Sequence, residues 1–207
     1  MMIQNRIINK RSNKALKRAF DIVVSLPALA GIVVLLPFIA YRIKRQSKGP
    51  IFFRQQRTGR DGKTFWCYKF RSMHVNDEAD MQQAVREDDR LFPFGAFMRE
   101  HNIDELPQFW NVLKGDMSVV GPRPHMLHHT EIYSQQIEDY MERHVVKPGI
   151  TGWAQVTGYC GETKELADME ERVRRDLWYM EHWSLRLDIH IVRTTAKNIL
   201  ARKIMTY

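Results

Sequence analysis

The sequence has few cysteines and lacks the short motifs of several common enzyme classes. Its 207 residues contain two cysteines and no CxxC pair, which excludes a disulfide framework and a cysteine-based zinc site and indicates a reducing compartment. His125, His128 and His129 could share one helix face, but a zinc site would need a further ligand. No GxxxxGK(S/T), HExxH or GxSxG motif occurs, which removes P-loop NTPases, zincins and α/β-hydrolases. Internal repeats and linkers are also missing, so residues 1–207 are predicted to form a single domain.

Acidic residues are outnumbered by basic ones. The chain has 32 Lys and Arg against 24 Asp and Glu, a formal net charge of +8. Such an excess predicts a polyanionic partner: nucleic acid, an anionic membrane surface or phosphorylated substrates. The basic residues are scattered, and no zinc finger or RNA-binding signature occurs, so we expect no nucleic acid partner. Two rival classes stay open: a membrane-tethered nucleic-acid binder, tested by salt-sensitive DNA retention, and a membrane scaffold that only recruits partners.

One long apolar run interrupts this polar sequence. The 20 residues from Ile22 to Tyr41 carry no charge, and as a helix they would extend about 30 Å, roughly the thickness of the hydrocarbon core of a bilayer. A buried core helix is the alternative. Basic clusters lie on both sides of the run, and such clusters favour the cytoplasmic side and anionic inner-membrane lipids. Pro27 and Pro37 would bend the helix. These features favour a re-entrant membrane helix over a span.

The remaining patterns predict an α+β fold that is mainly helical. Two runs rich in aromatic residues around an Asp-Gly turn, within 51–70, predict a β-hairpin. A polar, helix-prone segment at 76–89 is predicted to face solvent, and KPGITGW at 147–153 is predicted to be a loop. Helices are predicted at 126–143, 163–182 and 185–204. The last two are amphipathic, and the basic helix 185–204 is either a membrane-surface helix or a core helix.

Two adjacent carboxylates stand at a predicted helix start. Pro107 is tolerated in the first turn of a helix, which places Asp104 and Glu105 at or just before the N-terminus. One interpretation is structural: Asn102 caps the helix and Glu105 completes a capping box. The other is catalytic, because one carboxylate can act as a nucleophile while carboxylate oxygens hold Mg²⁺ together with substrate phosphates.

Three cations are candidates for binding phosphate. Lys69 and Arg71 lie at the end of the predicted hairpin on one strand face, where a solvated strand end is the alternative. Arg123 stands between Pro122 and Pro124, and so rigid a turn fixes the direction of its guanidinium. Arginine is the side chain best suited to bidentate phosphate contacts.

Several of these segments together resemble a known family. KRAFD (17–21), SKGPIFFRQQRTG (47–59), YKFRSM (68–73), DELPQFWNVLKGDMSVVGPRP (104–124) and KPGITGWAQVTG (147–158) are similar to the bacterial sugar transferases, which are monotopic polyprenyl-phosphate phosphoglycosyl transferases. The resemblance covers about residues 15–200. HMLHHTEIYSQQIEDYM and GETKEL further resemble the catalytic domain of the undecaprenyl-phosphate glucose phosphotransferase branch, in which a multi-span region often precedes that domain. This sequence contains no such region.

The resemblance implies an activity and the roles of the site residues. Members of the family transfer a sugar 1-phosphate from a UDP-sugar to undecaprenyl phosphate and release UMP. They act at the cytoplasmic face of the bacterial inner membrane, in the first membrane step of exopolysaccharide, capsule or O-antigen assembly. It implies that Asp104 attacks the β-phosphorus and forms a covalent intermediate, that Glu105 and Asp104 hold Mg²⁺, and that Lys69, Arg71 and Arg123 contact phosphates. Glucose is the expected sugar, with galactose and an N-acetylated amino sugar as alternatives. Whether the protein forms a homo-oligomer stays open.

The chain departs from the family pattern at two places. The family usually breaks its membrane helix at a Ser-Pro pair, where an ungapped match puts Val33 and Val34. Pro37, or Ser25 with Pro27, would then have to form the bend. Many relatives also carry a phosphate-binding arginine after the residue equivalent to Gly158, where this chain has Tyr159-Cys160-Gly161.

Overall fold

A computed structural model of the protein describes residues 8, 10–76, 88–161, 163 and 165–201. Over these residues the chain forms seven α-helices and two small two-stranded sheets, which confirms the mainly helical α+β class. Most of the polar segment 76–89, which is predicted to face solvent, lies outside the described residues. The elements in chain order are α1 (Arg11–Gln46), β1 (Phe52–Thr58), β2 (Thr64–Phe70), α2 (Pro93–Glu100), α3 (Gln108–Lys114), β3 (Ser118–Val120), α4 (Leu127–Gln136), β4 (Gly149–Thr151), α5 (Trp153–Val156), α6 (Leu166–Glu181) and α7 (Leu185–Leu200).

The apolar run forms the middle of one long helix. Helix α1 has 36 residues, contains both prolines, and is long and apolar enough to cross a membrane. Large apolar side chains along it are exposed, among them Val23, Val33, Val34 and Phe38, each more than half exposed. A helix of a water-soluble core would bury these side chains. The buried-core alternative is therefore wrong, and this surface fits contact with lipid.

Both ends of α1 are attached to the same folded domain. Near its start, Lys17 Nζ lies 2.8 Å from a carboxylate oxygen of Asp188 in α7, and Arg18 donates to two backbone carbonyls of α3. At its end, the Gln46 side-chain oxygen accepts a hydrogen bond of 2.7 Å from the backbone of Phe94 in α2. The residues before and after the apolar run thus pack against one body of protein.

The predicted β-hairpin is present. Strands β1 and β2 pair antiparallel from Phe52 opposite Phe70 to Thr58 opposite Thr64. A short 3-10 turn joins them, in which Asp61 adopts a left-handed conformation with a φ of 57°. Short polar side chains such as Asp tolerate this region better than most residues do. The end of the hairpin that contains Phe52 and Phe70 lies next to the end of α1, because only a short connection separates α1 from β1.

The helix predicted at 126–143 is wrong beyond its first half. Helix α4 ends at Gln136, Ile137 is extended, and a separate 3-10 segment covers Tyr140–Val145. Ile137 and Tyr140 are buried in a cluster with Met169 and Val173 of α6. This tertiary packing outweighs the local helix preference, which is a weak determinant of structure on its own.

The loop predicted at 147–153 is also partly wrong. Residues 149–151 form β4, which pairs parallel with β3, Ser118 opposite Gly149 and Val120 opposite Thr151. The two backbones approach so closely that a Cβ atom on Gly149 would lie 2.1 Å from the backbone nitrogen of Gly121. Glycine is needed here because the two backbones approach closely. From the sequence alone, a glycine with this role cannot be distinguished from a glycine in a turn.

Helices α6 and α7 close the core behind this sheet. The helix predicted at 163–182 is confirmed as α6, and that at 185–204 corresponds to α7. Tyr179 and Met180 of α6 and Ile191 of α7 pack against Val112 and Val120. One face of α7 is therefore a core face, and contact of its other face with a membrane surface stays a prediction.

Candidate active site

The predicted site residues surround one cavity. The cavity has a volume of about 270 Å³ and lies between the β-hairpin, the turn before α3, the Pro122–Pro124 turn and α6. Its described lining contains only two carboxylates, Asp104 and Glu105, against seven cationic side chains: Arg57, Lys69, Arg71, Arg90, Arg99, Arg123 and Arg172. So strong an excess of positive charge in a cavity favours binding of a multiply charged anion.

The carboxylate pair lies in a 3-10 turn, Ile103–Glu105, directly before α3. Asn102 adopts a left-handed conformation with a φ of 55°, and its side chain makes no capping hydrogen bond, so the capping-box interpretation is wrong. Asn111 of α3 is fully buried and attaches this helix to β2: its side chain accepts from the backbone of Tyr68 and donates to the backbone of Trp66. This attachment places the pair next to Lys69.

Glu105 is held by two cations. Its Oε1 lies 2.7 Å from Lys69 Nζ and 2.7 Å from Arg123 Nη2, and its Oε2 accepts from Arg123 Nη1 at 3.2 Å. Burial is the largest single influence and would raise the pKa of Glu105, but the charges of Arg123 and Lys69 and their hydrogen bonds together outweigh it and hold the pKa well below its usual range. Glu105 is therefore ionised, and the fork of Arg123 is oriented towards the site.

Asp104 is in the opposite electrostatic situation. It is buried, and its Oδ1 has no hydrogen-bond partner in the described part of the chain. Burial is the main cause that raises its pKa to about 6; Lys69 lowers it, and the charge of Glu105 raises it further. Two adjacent carboxylates with pKa values shifted apart are typical of catalytic sites. A buried carboxylate oxygen without a donor is available for attack on an electrophile.

Arg71 is bound by protein groups. Its guanidinium donates to the backbone carbonyl of Pro50 at 2.6 Å and to that of Ser47 at 2.8 Å, and also contacts the Ser47 hydroxyl. These bonds attach the segment after α1 to the end of β2. Arg71 also lines the cavity, and its contact with a substrate phosphate stays a prediction.

A buried ion pair holds the backbone of Arg123 in place. Arg143 donates to the backbone carbonyl of Arg123 at 3.0 Å and to the Asp176 carboxylate through two nitrogens. Both Arg143 and Asp176 are almost fully buried. The Pro122–Pro124 turn is thus fixed by this pair as well as by its two prolines.

Sequence reasoning missed Arg143 and Asp176, and it also missed the cavity cations Arg99 and Arg172. Arg99 precedes Asp104 by only five residues in the chain, which is a signal that could have directed attention to it. Arg172 lies within the amphipathic pattern of α6, where a charged residue normally indicates a solvated face.

The two carboxylates fit Mg²⁺ that binds together with a phosphorylated substrate. Among the described residues, no group of three or more His, Cys, Asp or Glu side chains could hold a metal, so the structure supports no histidine zinc site and no metal cage made of protein alone. Asp104 Oδ1 is an unused acceptor, and Glu105 Oε2 has a single long contact of 3.2 Å. Mg²⁺ is usually held by one or two carboxylates together with substrate phosphates and water, and this donor set is compatible with that arrangement.

Comparison with known proteins identifies the family. The family model described as "Bacterial sugar transferase" matches residues 12–202. The chain is 52% identical to the "UDP-glucose:undecaprenyl-phosphate glucose-1-phosphate transferase" of Escherichia coli (strain K12), over 88% of this chain and 40% of that protein. It is 50% identical to the protein of the same name from Xanthomonas campestris pv. campestris, over 88% of this chain and 38% of that protein. It is 39% identical to the "Undecaprenyl-phosphate galactose phosphotransferase" of Salmonella typhimurium, over 98% of this chain and 44% of that protein.

The chain spans about two fifths of the length of these three relatives. The family match at 12–202 covers the carboxylate pair, its two cations and the whole long apolar helix except its first residue, Arg11. By its sequence along almost its whole length, the chain belongs to the bacterial sugar transferase family.

Proposed function

We propose that the protein transfers a sugar 1-phosphate, with glucose as the first candidate sugar, from a UDP-sugar to undecaprenyl phosphate and releases UMP. The observation that carries this proposal is the buried Asp104, whose Oδ1 has no partner and which adjoins the Glu105–Arg123–Lys69 cluster in a strongly cationic cavity. The activities for which the relatives are named support the donor, the acceptor and the choice of glucose.

The first step forms a bond between Asp104 and the sugar phosphate. A carboxylate oxygen of Asp104 attacks the β-phosphorus of the UDP-sugar, the bond from that phosphorus to the bridging oxygen breaks, and UMP leaves with this oxygen. In the second step a phosphate oxygen of undecaprenyl phosphate attacks the same phosphorus. The bond to Asp104 breaks, the carboxylate is restored, and undecaprenyl diphosphate sugar is the product.

The cations position the phosphates and stabilise charge on them. Lys69 has three N–H donors and uses one for Glu105, so two remain for phosphate oxygens. Glu105 holds Arg123 in a fixed orientation, which reduces the reorganisation needed when charge develops on the phosphoryl group. Arg71 is the third proposed phosphate contact. Asp104 and Glu105 are the residues that would hold Mg²⁺, which when bound offsets the charge of the diphosphate.

The membrane arrangement proposed is a re-entrant helix with the folded domain on the cytoplasmic face of the inner membrane. It is supported by the contacts of Lys17 and Gln46, on either side of the apolar run, with the same domain. A straight span would separate these two residues by the hydrocarbon core of the bilayer, about 30 Å thick. The basic clusters at both ends of α1 would contact anionic lipids. This location suits a first membrane step of exopolysaccharide or related glycan assembly.

The experiment is a UMP-release assay with a panel of UDP-sugars, with and without undecaprenyl phosphate. We expect sustained release with UDP-glucose only when undecaprenyl phosphate is present, and none with the Asp104→Asn variant, whose fold is checked by thermal unfolding. UDP-galactose and UDP-N-acetylated amino sugars test the choice of sugar. Absence of UMP release with every UDP-sugar would contradict the proposal and favour a scaffold.

A further inference from the structure

Arg172 of α6 is a buried cation whose bonds with protein are incomplete. Its residue is only 6% exposed. Its Nε has no hydrogen-bond partner among the residues that the structure describes, and its Nη2 donates to the carbonyl of Gly161 at a long 3.3 Å. Arginine presents five N–H donors, so most of its capacity is unused in this contact. The side chain lines the same cavity as Asp104 and Glu105.

The surroundings of Arg172 do not neutralise its charge. Burial lowers its pKa, and the positive charges of Arg143 and then Arg123 lower it further. Asp176 is the nearby opposite charge, but Arg143 already binds this carboxylate through two nitrogens. A buried charge without a partner is unfavourable unless another group supplies the opposite charge. Since Arg172 faces a cavity, a bound anion can supply it.

The position of Arg172 along the cavity indicates which anion. The positive charges of Arg172 and Arg57 both lower the pKa of His125, so both side chains are close to this histidine. Met126, the residue after His125, forms a β-bridge with Arg57. Arg57 is near the turn end of β1, whereas the C-terminal end of α1 meets the opposite end of the hairpin, where Ile39 and Ile43 pack in one cluster with Phe70. A strand of seven residues is about 20 Å long, so Arg172, which like Arg57 is close to His125, lies towards the turn end of the hairpin and away from the C-terminal end of α1. An acceptor carried by a lipid is expected at the other end.

We propose that Arg172 binds the phosphate oxygens of the nucleotide diphosphate group. This inference rests on the proposed function, because it assigns one end of the cavity to the UDP-sugar. Arg172 then supplies a phosphate contact in addition to Lys69 and Arg123, and the bound diphosphate supplies the counter-charge that the described residues do not provide at this position.

The test measures UDP binding directly, at constant Mg²⁺ concentration, in wild type and in Arg172→Gln, Arg172→Lys and Arg174→Gln variants. Arg174 lies on the same helix with a side chain that is 77% exposed, and its variant is the matched control. Loss of a charge-assisted bond to phosphate should raise the Kd for UDP by roughly tenfold or more in Arg172→Gln. Arg172→Lys should recover part of the affinity, since it keeps the charge without the planar fork. The control should bind like wild type.

Thermal unfolding without ligand separates binding from a structural role. Removal of a buried cation next to two other arginines should leave the Tm of the Arg172→Gln protein unchanged or raise it, whereas a structural arginine would lower it. A Kd for UDP equal to that of wild type in this variant overturns the proposal. If the variant does not fold, Arg172→Lys decides: wild-type UDP affinity there likewise overturns the proposal.

Turnover distinguishes the two phosphate sources. In Arg172→Lys we expect the KM for UDP-glucose to rise while the KM for undecaprenyl phosphate stays unchanged. A rise confined to undecaprenyl phosphate would assign Arg172 to the lipid phosphate and overturn the proposal. Failure of the wild-type protein to release UMP would contradict the proposed function, while the comparison of UDP affinities would still decide on Arg172.

Discussion

Replacement of Arg123 tests the electrostatic arrangement of the site. Arg123 makes two hydrogen bonds to Glu105, of 2.7 and 3.2 Å, and points into the cavity. A charge-assisted hydrogen bond contributes about 1.5–3 kcal/mol, which corresponds to roughly 10- to 150-fold in rate. We therefore expect Arg123→Ala to lower kcat/KM for UMP release by at least about tenfold. Arg123→Lys should restore part of this loss, because an ammonium lacks the planar fork.

The same substitution has a structural consequence that can be separated from the catalytic one. Arg123→Ala leaves Glu105 with Lys69 alone in a buried site, so Tm should fall and the pKa of Glu105 should rise. In a double-mutant cycle, Glu105→Gln should lower Tm much less in the Arg123→Ala background than in wild type. Arg60→Ala is the control, since this arginine is about half exposed and pairs with Asp61. Full activity of Arg123→Lys would refute bidentate recognition of phosphate by Arg123. Additive effects of the two substitutions on Tm would refute the coupling between Arg123 and Glu105.

Three further predictions concern the metal, acid stability and topology. Glu105→Gln should weaken the dependence of the rate on Mg²⁺, because a neutral amide is a poorer ligand for a hard cation; an unchanged magnesium titration would count against that role. His144 is buried, and burial followed by the charge of Arg143 lowers its pKa to about 4, below the ordinary value of about 6.5. The contribution of neutral His144 to the free energy of unfolding is therefore complete above about pH 6.5, and as much as about 3 kcal/mol of it is lost as the pH falls towards 4. His144→Gln should flatten this part of the curve of Tm against pH. An unaltered curve would show that another group is responsible. In a protein with Cys67→Ser, Cys160→Ser and Asn5→Cys, an impermeant thiol reagent should label the new cysteine only after the inner membrane is permeabilised, whereas labelling in intact cells would mean a true span.

Local patterns predicted the hairpin and the carboxylate pair because their signals lie within short segments. The Asp-Gly turn and its flanking aromatic residues are contiguous, and the hairpin forms with the expected strands. Asp104 and Glu105 lie two to three residues before Pro107, which correctly indicates the start of α3. Lys69 and Arg123 were selected for their local setting, and the structure brings both to Glu105.

Features that depend on distant contacts could not be predicted in this way. In the sequence Arg172 resembles any charged residue of an amphipathic helix, and only the folded chain brings it to the cavity that Asp104 also lines. The end of α4 at Gln136 depends on burial of Ile137 against α6, and no proline or glycine marks it. The β3–β4 pairing joins two segments of three residues that are about 30 positions apart, and the glycines of the second segment made it look like a loop.

The central claim is that Asp104 forms a covalent bond to the sugar phosphate, and a single-turnover experiment tests it most directly. The protein is mixed with UDP-glucose labelled at the β-phosphorus, without undecaprenyl phosphate, and is then denatured and digested. We expect UMP release of at most one equivalent per protein and label on the peptide that contains Asp104, with neither in Asp104→Asn. Unlabelled protein, with UMP released only when undecaprenyl phosphate is added, would show direct transfer and contradict the account.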